Sequence, residues 1–409
     1  MRIAIFSDNF YPELSGISDS VISLARTLAA RGHFIHFYVP YYAKENYAAI
    51  DAPFREPDLG PNITVRRLFS FPFPMGTEQG RAVVPFGAYG KELVEFNPDI
   101  IHTQMFFGVG LEATFASWKF KKPLVGTQHT AVKEFMRYSP LKAEWFNALF
   151  LDYVNWYYEH CDLVTAPSQC VFDEMRSMGF EQEHAQVMSN PVDIKVFHLM
   201  RNKAALKKKF KFNGATMIHA GRLAIERHPE VLIKALPIIK KSVPDAMLAF
   251  AGKGTMENEL HALARSLGVE NSVRFLGFVD HPTLAEAYNA AEIFGITSTD
   301  DTQSLVMMQA MAAGLPVIGV NARGLPEYIN AKNGYVVEPN DERAVAEKAV
   351  YLLKHPVVAK KLGSGARAYA EQFSEEHIAE RWEEVYKRVI SDYNKGKHPD
   401  EDQHRHTGL

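Results

Sequence analysis

Cysteine is scarce in this 409-residue chain, occurring only as Cys161 and Cys170. Their spacing fits no metal or redox motif, and two thiols build no disulfide framework. That usage suits a reducing, cytoplasmic setting. Long apolar runs are missing too. No stretch reaches the roughly 18 uninterrupted apolar residues that would cross a bilayer. Any membrane contact is therefore expected to be peripheral, on the inner face of a cell membrane. The opening MRIAIFSDNFYP turns polar too early for a signal peptide. Surplus charge is also absent. The formal net charge is -3, which gives no basic field for nucleic acid. The dinucleotide fingerprint G-x-G-x-x-G does not occur after the strands that would carry it. SGISDS follows the first strand, and AGKG (residues 251–254) holds a single G-x-G.

What is present is a repeated grammar of short apolar run, polar residues and helical stretch. RIAIFS, FIHFYVP, PDIIHTQ, KPLVGTQHT and CDLVTAPS read as buried strands of a parallel sheet, with helical patterns such as GISDSVISLARTLAARGH between them. The grammar restarts after the basic run RNKAALKKKFKF (201–212), itself read as a solvated helix face. ATMIHAGRL, DAMLAFAGKG, SVRFLGF, AEIFGITS and LPVIGV supply a second set of strands. The expected fold class is α/β, with two Rossmann-like doubly wound domains. The length suits two domains. They are placed at 1–195 and 196–373, followed by a capped amphipathic helix at 374–393 that crosses back to the first domain. The polar tail 394–409 is expected to be disordered, and its histidines are not taken as a metal site.

Ligands of doubly wound sheets sit beyond the carboxyl ends of strands, so polar residues just after strands are the candidates. In AGRLAIERHPE, Gly221 permits a tight turn. Arg222 and Arg227 are placed to meet a diphosphate, since guanidinium forks match phosphate oxygens; solvated arginines are the plainer reading. In DDTQSLVMMQAMAAGLPVIG, Ser304, Leu305 and Val306 open a helix whose free amides favour an anion. Gln309 lies about a turn and a half deeper. Met307, Met308 and Met311 are expected to pack as core. Gly16, in SGISDS, is placed where backbone approaches a ligand.

The ordered series YPELSGISDSV, PDIIH, GTQHT, SNPVD, AGRLAIERHPE, AGKG, RFLGFV, DTQSLVMMQAMAAGLPVIG, GLPEYI and NGYVV resembles glycosyltransferase family 4 over roughly residues 1–392. The resemblance implies the GT-B fold, two Rossmann-like domains flanking a cleft. It also implies retaining transfer of a sugar from a nucleotide donor, without a metal or other cofactor. SGISDSV and TQHTAVKEF resemble the lipid-acceptor branch, which includes diacylglycerol glucosyltransferases and phosphatidylinositol mannosyltransferases. UDP-glucose is the donor first expected from that branch, with GDP-mannose and UDP-galactose left open.

By motif match, Gly16 falls near the donor diphosphate and His129 near the transferring sugar. Arg222 falls on the diphosphate, and Arg227 stands where the family usually has lysine. Asp301 matches the first glutamate of a paired motif, which contacts the sugar. Gln309 matches the second, which grips the ribose hydroxyls. Thr302, Gln303, Ser304, Leu305 and Val306 form the donor loop between them, and Val279 falls near the nucleotide base. His129, Asp301 and Arg222 are the expected catalytic residues. His102 is taken as structural, Glu327 as a loop-orienting residue and Glu226 as a brace for Arg222. Basic and aromatic residues mix in SWKFKKP and KEFMRYSPLKAEWFNALF, among them Trp118, Phe120, Lys133, Phe135, Trp145 and Phe146. That mixture suits an anionic membrane surface, or equally an ordinary half-buried helix. Two other readings stay open: a transferase of the same fold acting on a soluble acceptor, and a sugar-nucleotide-binding protein without activity. The departures at Arg227, Asp301 and Gln309 motivate the second of these.

Overall fold

The computed structural model describes residues 1–13, 15–50, 52–73, 79–87, 89–129, 132, 144–181 and 184–396. Lys133 and Phe135, most of the segment they open, and the histidines of the C-terminal tail lie outside these residues. The chain divides into two compact units, one formed by Met1–Pro191 with Glu375–Leu409 and one by Val192–Ser374.

In the first unit, strands β1 (Arg2–Phe6), β2 (Phe34–Pro40), β3 (Ile63–Leu68), β6 (Ile100–Thr103), β7 (Leu124–Thr127), β8 (Leu163–Ala166) and β9 (Ala185–Val187) form one sheet, in the order β3-β2-β1-β6-β7-β8-β9. Every pairing in it is parallel. β6, β7 and β8 are buried at every position, as expected of strands covered on both faces. The strand order reverses between β1 and β6. β4 (Ser70–Pro72) and β5 (Arg81–Val83), which the strand grammar had not revealed, stand apart as a two-stranded antiparallel ribbon.

The helix Gly16–Ala30 follows β1 and is capped by Ser15, whose hydroxyl accepts from the Ser18 amide at 3.1 Å. Gly32, at φ 90°, takes the left-handed turn that ends it. The helix Glu375–Asn394 packs on this first helix. Its Glu375 accepts from the Ser23 hydroxyl, and its Glu383 from the Arg31 guanidinium and the His33 ring.

In the second unit, β10 (Thr216–Ala220), β11 (Met247–Ala251), β12 (Val273–Gly277), β13 (Ile293–Ile296), β14 (Val317–Val320) and β15 (Gly334–Val337) are ordered β12-β11-β10-β13-β14-β15. All pair in parallel. This is the Rossmann order, and it reverses between β10 and β13. The core includes Met307, Met308 and Met311. The basic run forms the helix Lys203–Phe210, with Lys203 and Lys207 on Glu292 and Lys209 on Glu286. Among the described residues no helix is long and apolar enough to cross a membrane.

Candidate active site

The reversal point of the second sheet gathers several of the candidate residues. Gly221 leaves β10 at φ 128°, and its carbonyl is approached so closely by Gly252 that a Cβ there would lie 1.9 Å away. Arg222 follows with half its side chain exposed, and its Nη2 donates to Glu226 Oε1 at 3.0 Å. A short 3-10 turn, Ile225–Arg227, then brings Arg227 toward the loop after β13. There its Nη1 donates to Ser298 Oγ at 3.1 Å, and the guanidinium forms an ion pair with Asp301. Thr297 joins the two loops further, its hydroxyl donating to the carbonyls of Arg227 (3.2 Å) and His228 (2.8 Å). Asp301 is therefore held by a cation from a different loop, while its second oxygen, Oδ2, is buried without a hydrogen-bond partner.

The polar loop continues through buried Thr302 and Gln303 to Ser304, whose hydroxyl caps the helix Leu305–Ala312 by accepting from Met307 N. Leu305 and Val306 are half-buried in its first turn. Gln309 is buried, and its Oε1 has no hydrogen-bond partner. A buried acceptor left unpaired is costly, and native structures keep such atoms for a reason. Here two occur, Asp301 Oδ2 and Gln309 Oε1, on one loop and the helix it leads into.

The loop after β14 adds a residue that motif matching missed. Arg323 adopts a left-handed φ of 44° and its Nε lies 3.7 Å from Asp300 Oδ1, while the next amide, Gly324 N, donates to Asp301 O at 3.0 Å. An L-residue at positive φ is a signal that only backbone geometry gives. Beneath the cluster, His219 of β10 donates from Nδ1 to Gly295 O at 2.9 Å. Burial pushes its pKa down to about 4; Arg227 acts in the same direction, while the Gly295 hydrogen bond and Asp301 oppose it. Val279 packs partly buried against the core next to Phe278, which is more than half exposed after the left-handed Gly277.

The other candidates lie in the first unit. Gly16 is exposed at the start of its helix. His129, just beyond β7, is buried, with Nε2 2.8 Å from Gln104 Oε1 beyond β6. Burial alone lowers its pKa to about 4, so the ring is neutral at physiological pH. With Gln104 oriented this way, the imidazole donates from Nε2. His102 bonds Tyr386 through Nδ1 and Thr127 through Nε2, each at 2.7 Å, which ties it to the C-terminal helix. His102, Gln104, Thr127, His129, Asn190 and Trp382 line one small cavity.

Asp8 and Glu13 are not among the residues the motifs single out, although Asp8, two residues beyond β1, sits where ligands of such sheets are expected. Asp8 accepts from Val109 N (2.9 Å) and Gly110 N (3.3 Å), in the first turn of the helix Gly108–Phe120. Burial raises its pKa to about 7 against the pull of those amides. Glu13 accepts from Asn9 (2.8 Å) and the Tyr42 hydroxyl (2.7 Å).

Of the basic and aromatic residues singled out in SWKFKKP, Lys119 lies over the Tyr89 and Phe120 rings, Lys122 bonds Asn97, and Trp118 packs edge-on to Trp156.

Two sequence families match the two units. Glycosyltransferase Family 4 matches residues 14–196, and Glycosyl transferases group 1 matches residues 201–369. The chain belongs to glycosyltransferase family 4. Alpha-monoglucosyldiacylglycerol synthase of Acholeplasma laidlawii is 25% identical to this glycosyltransferase, over 97% of the chain and 99% of that protein. N-acetyl-alpha-D-glucosaminyl L-malate synthase of Bacillus anthracis is 27% identical, over 95% and 97%. Among solved structures, Anabaena HepE in complex with UDP superimposes with a TM-score of 0.75 at 21% identity, over 95% of this chain and 100% of that one. That likeness shows the fold, GT-B with its two Rossmann-like domains. The glycosyltransferase is a hexosyltransferase, and its relatives include glycolipid synthases.

Proposed function

We propose that this glycosyltransferase moves glucose from UDP-glucose to a lipid hydroxyl, with diacylglycerol the favoured acceptor, and that the anomeric configuration is retained. The observation that carries the donor half is the pair of buried acceptors without a hydrogen-bond partner, Asp301 Oδ2 and Gln309 Oε1, the first on a carboxylate ion-paired with Arg227, whose loop also carries Arg222. Cations with adjacent hydroxyl-reading oxygens are what a sugar nucleotide requires. Arg222 exchanges its exposed contact with Glu226 for the diphosphate. Arg227 and the amides of Leu305 and Val306 complete the anion site, and they stabilise the charge that grows as the nucleoside diphosphate departs. Asp301 and His129 hold sugar hydroxyls. The acceptor oxygen bonds the anomeric carbon on the face that the phosphate leaves, and the departing phosphate oxygen takes the acceptor's proton. No metal or other cofactor is invoked.

The acceptor half draws on the Acholeplasma relative, a glucosyldiacylglycerol synthase that matches along its whole length. A second reading is favoured by the Bacillus relative, whose product is a malate glycoside: transfer to a small soluble acceptor. Incubating the enzyme with radiolabelled UDP-glucose, GDP-mannose and UDP-galactose, against diacylglycerol in mixed micelles and against soluble hydroxy acids, separates the two. Label in the organic phase from UDP-glucose is expected. Label confined to water-soluble glycosides overturns the lipid assignment, and donor binding without transfer or hydrolysis overturns catalysis.

A further inference from the structure

The ribbon β4–β5 inverts the usual rule for a small sheet. Its inward positions are Ser70 and Val83, paired in register and both buried. Its outward positions alternate as Phe69, Phe71 and Phe73 on one side and Ala82, Val84 and Phe86 on the other. All six are apolar. Phe69 is 82% and Phe86 87% exposed, and Phe71, Phe73 and Val84 are each at least 40% exposed. Among residues 69–73 and 79–87 the one charged side chain is Arg81. It is turned to the ribbon's base, donating to Ser70 Oγ (3.1 Å) and Ser70 O (2.7 Å).

This exposure does not come from a loose loop. The Ser70 hydroxyl donates to Tyr41 O at 2.5 Å, pinning the ribbon where β2 ends. β5 lies against the start of the helix Gly108–Phe120, so closely that a Cβ on Gly108 would meet Val83 O at 1.8 Å. Immediately after Phe86, Gly87 N donates to the buried Glu112 carboxylate at 2.8 Å. The ribbon is anchored at Ser70, Val83 and Gly87, and the phenylalanines face water from it. The ribbon also leaves the sheet at the carboxyl end of β3, the end of the sheet that carries Gln104 and His129.

We infer that the outward face of this ribbon is a membrane-inserting element that seats the first unit on the acyl region of a lipid surface. The inference rests on the lipid-acceptor reading. The four phenylalanines expose roughly 500 Å², short of the ~800 Å² per partner of a standard protein interface. A protein interface also carries about one hydrogen bond per 100–200 Å², and these six side chains offer none. An aromatic face whose six outward side chains carry no charge matches hydrocarbon. Insertion of this kind does not require anionic lipid, so it persists on neutral bilayers and in high salt, unlike attachment by lysines.

The test is flotation of the full-length protein with phosphatidylcholine vesicles at low and high salt. Phe69→Ser/Phe86→Ser is expected to lose at least tenfold in vesicle partition, while Phe69→Leu/Phe86→Leu stays within threefold of the parent. Sedimentation velocity without lipid is expected to give the same mass for all three. Transfer to a short-chain, water-dispersed diacylglycerol is expected to survive in the serine variant, which also reports that it folds. Equal flotation of the serine variant and the parent overturns the ribbon assignment, as does a parent dimer that the serine changes dissociate. A parent that floats through the ribbon yet glycosylates no lipid leaves the ribbon standing and removes the acceptor reading.

Discussion

Arg227 and Asp301 form an ion pair across two loops, one following β10 and the other following β13. Motif matching assigns the first to the diphosphate and the second to the sugar. The structure joins them, so each sets the other's position before any donor arrives. Arg222 differs, being half exposed and paired with Glu226 within its own loop.

The two arginines are therefore expected to fail differently. Arg222→Ala should lower transfer by about 100-fold or more, since it removes charge that acts as the leaving group departs. Stability should fall less than in the Arg227 variant, because Arg222 itself is half exposed and solvent screens its pair, although the Glu226 side chain that loses the contact is only 9% exposed. Arg227→Ala should lower both activity and stability, the latter by roughly 2 kcal/mol, because Asp301 is left as a nearly buried carboxylate without its cation. Paired kinetics and denaturant titrations of the two variants check this. Near-normal transfer by Arg222→Ala would sink the diphosphate assignment.

Gln309 stands where the family's second glutamate does. An amide keeps the carbonyl acceptor and removes a negative charge from the neighbourhood of a diphosphate. Gln309→Leu should raise the donor KM about tenfold, the loss of one hydrogen bond to a sugar hydroxyl. Gln309→Glu should leave kcat unimproved. A tenfold gain in that variant would mean that the native site is impaired rather than adapted.

Buried histidines tie the first unit to pH. His102 and His129 have pKa values lowered by burial from 6.5 to about 3 and about 4. The unfolded chain therefore binds protons first as pH falls. Their contribution to stability is whole above pH 6.5 and drains away as pH falls to about 4 for His129 and about 3 for His102, at up to roughly 3 and 5 kcal/mol. Asp8, raised by burial to about 7 from 3.8, works the other way, stabilising the fold more as pH drops from 7 toward 4. Denaturation midpoints should fall from pH 6.5 to 4.5. Asp8→Asn should steepen that fall, and a midpoint rising on acidification would contradict the burial of the two rings.

Strand grammar was readable because a parallel strand buried along its length is mostly apolar, as β6 to β8 and β10, β11 and β13 are, with a few threonines and histidines among them. The same logic picks out Arg222 and Asp301, since each follows such a strand. It misses Arg323, whose signal is a backbone angle; Asp8 also follows a strand, but only the structure shows its carboxylate meeting the amides of a helix about a hundred residues on. It also misses the ribbon, because FSFPF alternates as any half-buried strand does.

The sequence by itself determined two parallel doubly wound sheets, the family, and a polar donor loop between Asp301 and Gln309. Those features rest on local periodicity and on residues close in the chain. Tertiary structure alone decided that Arg227 pairs with Asp301, that Gln104 faces His129, and that Phe69, Phe71 and Phe86 face water. A period of two says that alternate residues share a face. Which face is covered depends on what packs there, and here Ser70 and Val83 take the covered side and leave the phenylalanines outside.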